Sequence, residues 1–494
     1  MSDRRPHDLR PAAAGIPTER KEEFVKQHAP PATEPEQSLV PQVESMVGGR
    51  VTSIEREGRW RAAWRVDVVD VVDAVEGGGV NGGEPRRLYL RGERSEGNDL
   101  SLETEAAIHA LLEKHGVPVP HVYGLTAGPK AMVMDLLTGS GQLTGVSDPV
   151  TQQALLDEYV GYLVQVHRIP LEEVAAAGVE VPASPVEAQL ALFRRRARKF
   201  RAQQARPEPL VAFGSRWALR HQPTHRDRMG LAIKDTGQFL QRGGSITGLY
   251  DLELAHVTDP QADLAGLRVR NAFEPLGDLA WIFDRYVEAS GDPIDPAVVN
   301  FHQVVGGLAG RQAITRLRTE ERADYVNWLT WEVAGAFSVL SAIAEELGEE
   351  LDPAPPDLDD TPEPLSGSLV RALDAWVGPT RPYDRVVTDD LLNHIQLVLR
   401  HGPSLAASHL ADVESLVGFQ PTSVHEADAA LEDLVREAGP DTDRRILHLL
   451  HRSAKRQRAL IPSMLPNGRP PGSVGPFVDR FRLEAVRSVM ARMG

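Results

Sequence analysis

Apolar and polar residues alternate with a period of two in the first third of this chain and with a helical period beyond it. Gly49-Arg-Val-Thr-Ser-Ile-Glu alternates as a half-buried strand does, and Trp64-Arg-Val-Asp-Val-Val-Asp-Val-Val repeats the pattern. A third strand is predicted at Arg87-Leu-Tyr-Leu-Arg91, after a glycine-rich hairpin loop at 77–83. A helix is expected over about 102–115, with Ala106, Ile108, Leu111 and Leu112 near helical spacing. Gly116 stops it, and Val117-Pro-Val-Pro120 leads away in extended form. Two more strands fit His121-Val-Tyr-Gly-Leu and Ala131-Met-Val-Met134, so residues 46–137 read as a small sheet with one inserted helix. From about 150 the pattern predicts helices over 151–168, 186–204, 278–290, 297–317 and 320–348, interrupted by a strand pair at 238–250. An acidic, Pro-rich stretch at 351–365 marks a linker. Residues 366–494 read as all-helical, with amphipathic stretches near 366–376, 388–401, 404–417, 425–438 and 442–458. Residues 1–45 mix Pro, Glu, Lys and Gln with few large apolar groups and predict a disordered tail.

Length supports this division. A chain of 494 residues exceeds what one hydrophobic core organises, so two or three domains are expected. The net charge of -16 argues against a nucleic-acid partner, which would require a basic face. The run Arg194-Arg-Arg-Ala-Arg-Lys-Phe-Arg201 is a local exception. It reads either as a solvated helix face or as a receiver of an anionic substrate or cofactor. The absence of cysteine excludes thiol catalysis, disulfides and thiolate metal sites. No charged-then-apolar leader and no apolar run of membrane-spanning length is present, so a cytoplasmic protein without a membrane partner is expected.

Candidate chemistry lies in three polar blocks: Asp235-Thr-Gly-Gln238-Phe, then Tyr250-Asp251-Leu-Glu253-Leu-Ala-His256, then Asp259-Pro-Gln-Ala-Asp263. Magnesium takes hard oxygen ligands, commonly one or two protein groups plus phosphates and water. Gln238 and Asp251 supply such oxygens at the two ends of a strand-turn-strand unit. Phosphoryl transfer also needs a cation for the phosphates and a carboxylate for the acceptor hydroxyl. Asp259 and Asp263 read as helix caps or loop braces, and His167 and His256 as structural histidines. Neither a His-Glu-x-x-His zinc motif nor a Gly-x-Ser-x-Gly elbow occurs. No Gly-x-Gly-x-x-Gly precedes the second strand, and Trp60 and Trp64 in that region read as packing residues.

In order along the chain, these motifs resemble the aminoglycoside-phosphotransferase-like, protein-kinase-like family over roughly residues 46–350. That family carries His-Gly-Asp, four residues and an Asn, then a hairpin ending in Asp-Trp-Glu-x-Ala, then Gly-Asp-Pro-x-x-Asp-Leu. Here the second half is Gln238, then Asp251-Leu-Glu-Leu-Ala-His256, then Thr258-Asp-Pro-Gln-Ala-Asp263-Leu. Glu105 stands where the family's helix Glu stands, Met132-Val-Met-Asp135 resembles its hinge strand, and Tyr162-Leu-Val-Gln-Val-His167 its Leu-His segment. A subgroup of the family resembles this chain in its Asp-x-Gly-Gln-Phe loop. The resemblance implies an α+β fold of two lobes, a small sheet-rich N-lobe and a helical C-lobe, followed here by a helical accessory domain. It implies ATP and Mg2+ as cofactors, Arg91, Glu105 and Met134 at the nucleotide, and Gln238 and Asp251 on the metal. The catalytic carboxylate is Asp235 through a shortened loop, or Asp227 of His225-Arg-Asp227, or absent. Departures from the family are Gln238 for its Asn, Arg91 for its strand Lys, and Leu231-Ala232-Ile233 at the spacing of its triplet, unless a shortened loop makes Ile233-Lys234-Asp235 the equivalent. The implied function is phosphoryl transfer to the hydroxyl of a small-molecule alcohol, among which hydroxyacyl thioesters figure. The alternative is a pseudokinase-like binding or regulatory module. The C-terminal helices would serve as a homodimer or partner-protein contact.

Overall fold

The computed structural model of the chain describes residues 34–58, 61–70, 85–94, 99–273, 276–314, 325–358, 373 and 382–462. The hairpin loop expected at 77–83, Trp60, the helix expected at 366–376 except residue 373, and the acidic linker from residue 359 lie outside the described residues.

The N-lobe is an antiparallel sheet of five strands: β1 (Gly49–Arg56), β2 (Ala63–Asp70), β3 (Arg86–Gly92), β4 (Val122–Ala127) and β5 (Lys130–Asp135), in the order β1-β2-β3-β5-β4. Alternation sorts the side chains onto two faces. Trp64, Val66, Val68, Leu88, Leu90, Ala131 and Val133 form one buried layer. Tyr89 and Arg91, across from Met134 and Met132 on β5, point to the other face. Helix α1 (Glu34–Val47) closes the first layer with Leu39 and Val43, both fully buried. Each such burial contributes about 1.5–3 kcal/mol. Gln42 ties α1 to the tight turn between β4 and β5, donating to Gly128 O at 3.0 Å and accepting from Ala127 N at 2.7 Å. The disordered tail expected through residue 45 is therefore corrected from residue 34 onward. Of the prolines that suggested disorder, Pro35 falls in the first turn of the helix, where its missing N–H costs nothing, and Pro41 on its exposed side.

Helix α2 (Leu102–Lys114) is inserted between β3 and β4, as expected. Ser101 caps it by accepting from Thr104 N at 3.2 Å, and Leu102 packs on Met132 and Met134. The C-lobe contains α3 (Pro149–His167), α4 (Leu171–Ala176), α5 (Pro185–Gln203), α6 (Pro209–Arg220), α7 (Gln261–Phe273), α8 (Leu279–Ser290), α9 (Pro296–Ile314) and α10 (Tyr325–Leu347). Short strands lie among them: β6 (Ser140–Gly141), the hairpin β8 (Phe239–Arg242) and β9 (Ser245–Leu249), and the pair β7 (Gly230–Ala232) with β10 (His256–Thr258). The fold is thus α+β and two-lobed, a sheet-rich N-lobe over a helical C-lobe.

The C-terminal part is helical: α11 (Pro382–Val417), α12 (Val424–Glu437) and α13 (Asp443–Ala459). Two expected helices, 388–401 and 404–417, are one, because α11 runs through Pro403 without ending. These helices do not form a core of their own. Val413, Leu431, Val435, Ile446 and Leu447 pack in a single cluster with Phe213, Trp217, Leu308, Leu340 and Ile343 of the C-lobe. Buried charges cross the same junction. Arg311 of α9 meets Glu208 at 2.9 Å and Glu332 at 3.0 Å, and Glu208 N donates to Glu432 of α12 at 2.5 Å. The basic residues of α13 are likewise engaged within the chain: Arg444 with Glu349, Lys455 with Asp352, and Arg452 and Arg456 with Asp412.

Candidate active site

The cleft between the lobes collects the side chains singled out in the sequence. On the N-lobe side, Arg91 emerges from the inner face of β3 and is almost wholly buried. Its Nε lies 2.9 Å from Oε1 of Glu105, in the first turn of α2. The expected Arg91–Glu105 pair is therefore present, and it is an interior one. The same guanidinium reaches across the cleft, with Nη2 at 2.6 Å from Asp251 Oδ1 and 3.1 Å from Glu253 Oε2. Burial acts to lower the pKa of Arg91, but Asp251, Glu105 and Glu253 outweigh it and raise it. Met134 is buried on the inner face of β5 opposite Tyr89, where the chain leaves the sheet for the C-lobe.

Two further arginines join this group, and neither was singled out in the sequence. Arg61 Nη1 donates to Glu253 at 2.5 Å, its Nη2 lies 3.6 Å from Glu105, and its Nε donates to Gly92 O at 2.6 Å. Arg94 Nη1 donates to the other oxygen of Glu253 at 2.8 Å. Glu253 thus anchors three guanidinium groups of the N-lobe to the C-lobe.

On the C-lobe side, the loop between β7 and β8 carries Asp235 and Gln238. Asp263 of α7, fully buried, sets the course of that loop. Its carboxylate accepts from Ile233 N at 2.9 Å and Lys234 N at 2.7 Å, and contacts His167 Nε2 at 3.0 Å. Tyr159 accepts from Gly237 N at 2.6 Å, and Thr236 donates to the Asp263 carbonyl at 2.9 Å. The loop lies directly on α7 at Gly266, where an added Cβ would stand 2.7 Å from Lys234 O. Lys234 has φ +71° and Asp251 φ +65°, left-handed backbone that costs a non-glycine residue roughly 1–3 kcal/mol. Both flank the convergence point.

Gln238 completes it. Its Nε2 donates to Asp235 Oδ2 at 2.6 Å and to Asp251 Oδ2 at 3.3 Å. Arg270 of α7 pairs with the other oxygen of Asp235. Withdrawal from solvent raises the pKa of Asp235; Arg270 opposes the rise and Asp251 adds to it. His225-Arg226-Asp227 lies elsewhere. His225 pairs with Asp295 at 2.9 Å, Arg226 pairs with Asp259 and Asp292 at 2.7 Å each, and Asp227 is exposed. None of the three bonds to the Asp235–Gln238–Asp251 group.

The donor set suits magnesium. The carboxylates of Asp251 and Asp235 meet at the Gln238 amide, whose nitrogen bonds both, while no group of three or more His, Cys, Asp or Glu forms a metal cage among the described residues. An ion that takes its other ligands from phosphates and water needs no such cage. No described helix is long and apolar enough to cross a membrane.

Residues 79–302 match the family model of the phosphotransferase enzyme family. No curated protein matches the chain. Among solved structures, a thermostable mutant of aminoglycoside phosphotransferase APH(4)-Ia in its apo form is 14% identical with a TM-score of 0.44, over 62% of this chain and 98% of that one. Its ternary complex with ADP and hygromycin B gives 13% identity and a TM-score of 0.44, over 61% and 98%. Macrolide 2'-phosphotransferase MphH from Brachybacterium faecium gives 19% identity and a TM-score of 0.42, over 61% and 98%. Over residues 79–302 this chain thus resembles the phosphotransferase enzyme family, of the aminoglycoside-phosphotransferase-like, protein-kinase-like type.

Proposed function

We propose that the protein is an ATP- and magnesium-dependent phosphotransferase that acts on the hydroxyl of a small molecule, such as a hydroxyacyl thioester or another alcohol. The observation that carries this reading is the bonded series Asp235–Gln238–Asp251 beneath the Arg91–Glu105 pair. Asp235 is the catalytic carboxylate. It orients the acceptor hydroxyl and takes its proton as the oxygen attacks the terminal phosphorus of ATP and ADP departs. Two bonded amides hold the backbone just before it, and a raised pKa brings a carboxylate closer to the range useful for proton transfer. Asp251 and Gln238 would hold the metal, which when bound supplies charge neutralisation on the phosphates. Arg91 steadies the phosphates and Glu105 positions Arg91. Met134 lines the nucleotide end of the cleft. The described basic residues of α13 are engaged within the chain, so a homodimer or partner contact would use another face of α11 to α13.

The test is calorimetry of the full chain with ATP, with and without Mg2+, repeated on Asp251→Ala. Mg2+-dependent binding that the substitution abolishes is expected. Binding indifferent to both Mg2+ and Asp251 would remove the assignment. A binding module without turnover is the second reading. Arg91 and Gln238 already satisfy both oxygens of Asp251 within the chain, which favours it. Release of ADP with any alcohol excludes it.

A further inference from the structure

Lys234 has no place in the reaction described above. The residue before the catalytic carboxylate is glycine in the family pattern, and the backbone here explains why: φ is +71°. A lysine at this position bears a backbone cost that glycine avoids. Its ammonium reaches α9. A Cβ added at Gly306 would lie 2.6 Å from Nζ and 3.0 Å from Cε, so the helix surface is hollowed at that point to admit the side chain. Among the described residues no hydrogen bond or ion pair engages Nζ, although Asp235 and Asp263 act on its titration through space.

The surroundings are cationic or basic. His302, one helical turn before Gly306 on α9, is 5% exposed, and its Nε2 has no hydrogen-bond partner. His256 on β10 holds only the Leu254 carbonyl, through Nδ1 at 2.9 Å. Arg196 of α5 is buried against the same helix, donating to Ala309 O at 2.8 Å, and shares Asp99 with Arg195. Burial and the nearby Arg196 lower the pKa of Lys234, and burial, Lys234 and Arg195 lower that of His256. The carboxylate Asp99 is committed to the two arginines. What remains is an ammonium and a buried imidazole nitrogen without partners, beside the carboxylate that receives the acceptor. Buried polar groups are ordinarily satisfied, so such a pair marks a place that a ligand completes.

We propose that Lys234 and His302 form an anion subsite for the acceptor, so that the physiological substrate is an alcohol bearing a carboxylate or phosphate group. This rests on the phosphotransferase reading and narrows its substrate class. The anionic group pairs with the Lys234 ammonium and accepts from His302 Nε2–H. The hydroxyl then lies against Asp235, the neighbouring residue.

The experiment titrates the full chain, with its nucleotide site saturated by a Mg2+ complex of a non-hydrolysable ATP analogue, with inorganic phosphate and separately with acetate. The variants are Lys234→Met, Lys234→Gly and Gly306→Ala. At least one anion should bind, and Lys234→Met should weaken it at least about tenfold, the loss of one charge-assisted hydrogen bond. Phosphate binding in preference to acetate would assign a phosphorylated alcohol, and the reverse a hydroxy acid. Lys234→Gly should lose binding while raising Tm, because it relieves the left-handed backbone; a structural ion pair would give the opposite change in Tm. No anion binding, or binding equal in wild type and Lys234→Met, overturns the subsite. Turnover then separates the two claims. ADP release with glycerol as fast as with glycerate and glycerol 3-phosphate sinks the anion subsite and leaves the phosphotransferase standing. Loss of nucleotide binding itself removes both.

Discussion

Asp235 shows how one carboxylate can be legible by type and ambiguous by position. Sequence spacing favoured Asp235 without excluding Asp227, because the family's interval to the metal ligand is shortened here by two residues. Geometry supports the proposal of Asp235: it shares a hydrogen bond with Gln238, and the backbone just before it is held by Asp263. Asp235→Asn should lower kcat by about 10²–10⁴, the usual range for a general base. Its pH profile is a sharper check. A carboxylate with a raised pKa is protonated, and so inactive as a base, until the pH climbs above the usual carboxylate range. The acid limb of kcat should therefore sit above that range and vanish in the variant. Stability has the opposite sign. A raised folded pKa makes the ionised form costly, so the contribution of Asp235 to stability is lost as pH rises through that pKa. Asp235→Asn should accordingly raise Tm at neutral pH while abolishing turnover. Arg61 is the contrasting case. It stands in Gly58-Arg-Trp-Arg-Ala-Ala-Trp64, where the tryptophans drew attention, and its partner Glu253 lies 192 residues away. No local pattern encodes that meeting.

At the scale of elements, the N-lobe strands were readable because one face is buried and the period of two survives in the sequence. The long helices were readable for the same reason at their own period. Helix α1 was hidden by prolines that its first turn and exposed face tolerate, and α7 by the turn-like Asp-Pro that precedes it. Yet α7 does most to shape the site, since it carries Asp263, Gly266 and Arg270. Its glycine gives a clean test. Gly266→Ala should stabilise a helix interior by about 1 kcal/mol on propensity alone. Here the new Cβ meets Thr236 Oγ1 and Lys234 O, so the catalytic loop must shift instead. A displacement of about 1 Å can cost up to about 100-fold in rate. The expected result is a large fall in kcat with the KM for ATP nearly unchanged, measured by coupled ADP release. Unchanged kcat would mean that the loop does not depend on α7.

At the scale of the molecule, the boundary near 351–365 reads in the sequence as a break between independent units, and composition alone supports that. The packing does not. Helices α11 to α13 bury the outer faces of α6, α9 and α10, and carboxylates of α12 and α13 meet backbone or arginines of the C-lobe. A chain ended at residue 358 should therefore expose Phe213, Trp217, Leu308 and Leu340, and aggregate or lose its near-ultraviolet circular dichroism. A monomeric, cooperatively folding truncation would restore the picture of a detachable domain. The charges that join the two lobes carry a different lesson. Arg61, Arg91 and Arg94 on one side and Asp251 and Glu253 on the other fasten the cleft with the protein's own groups. Much of the entropy lost in aligning the lobes is then settled when the chain folds, before any ligand arrives. On the proposed reading, nucleotide entry would be an exchange of counterions, phosphate replacing carboxylate around Arg91, and its speed should follow how readily that internal pair parts rather than how often the two lobes collide.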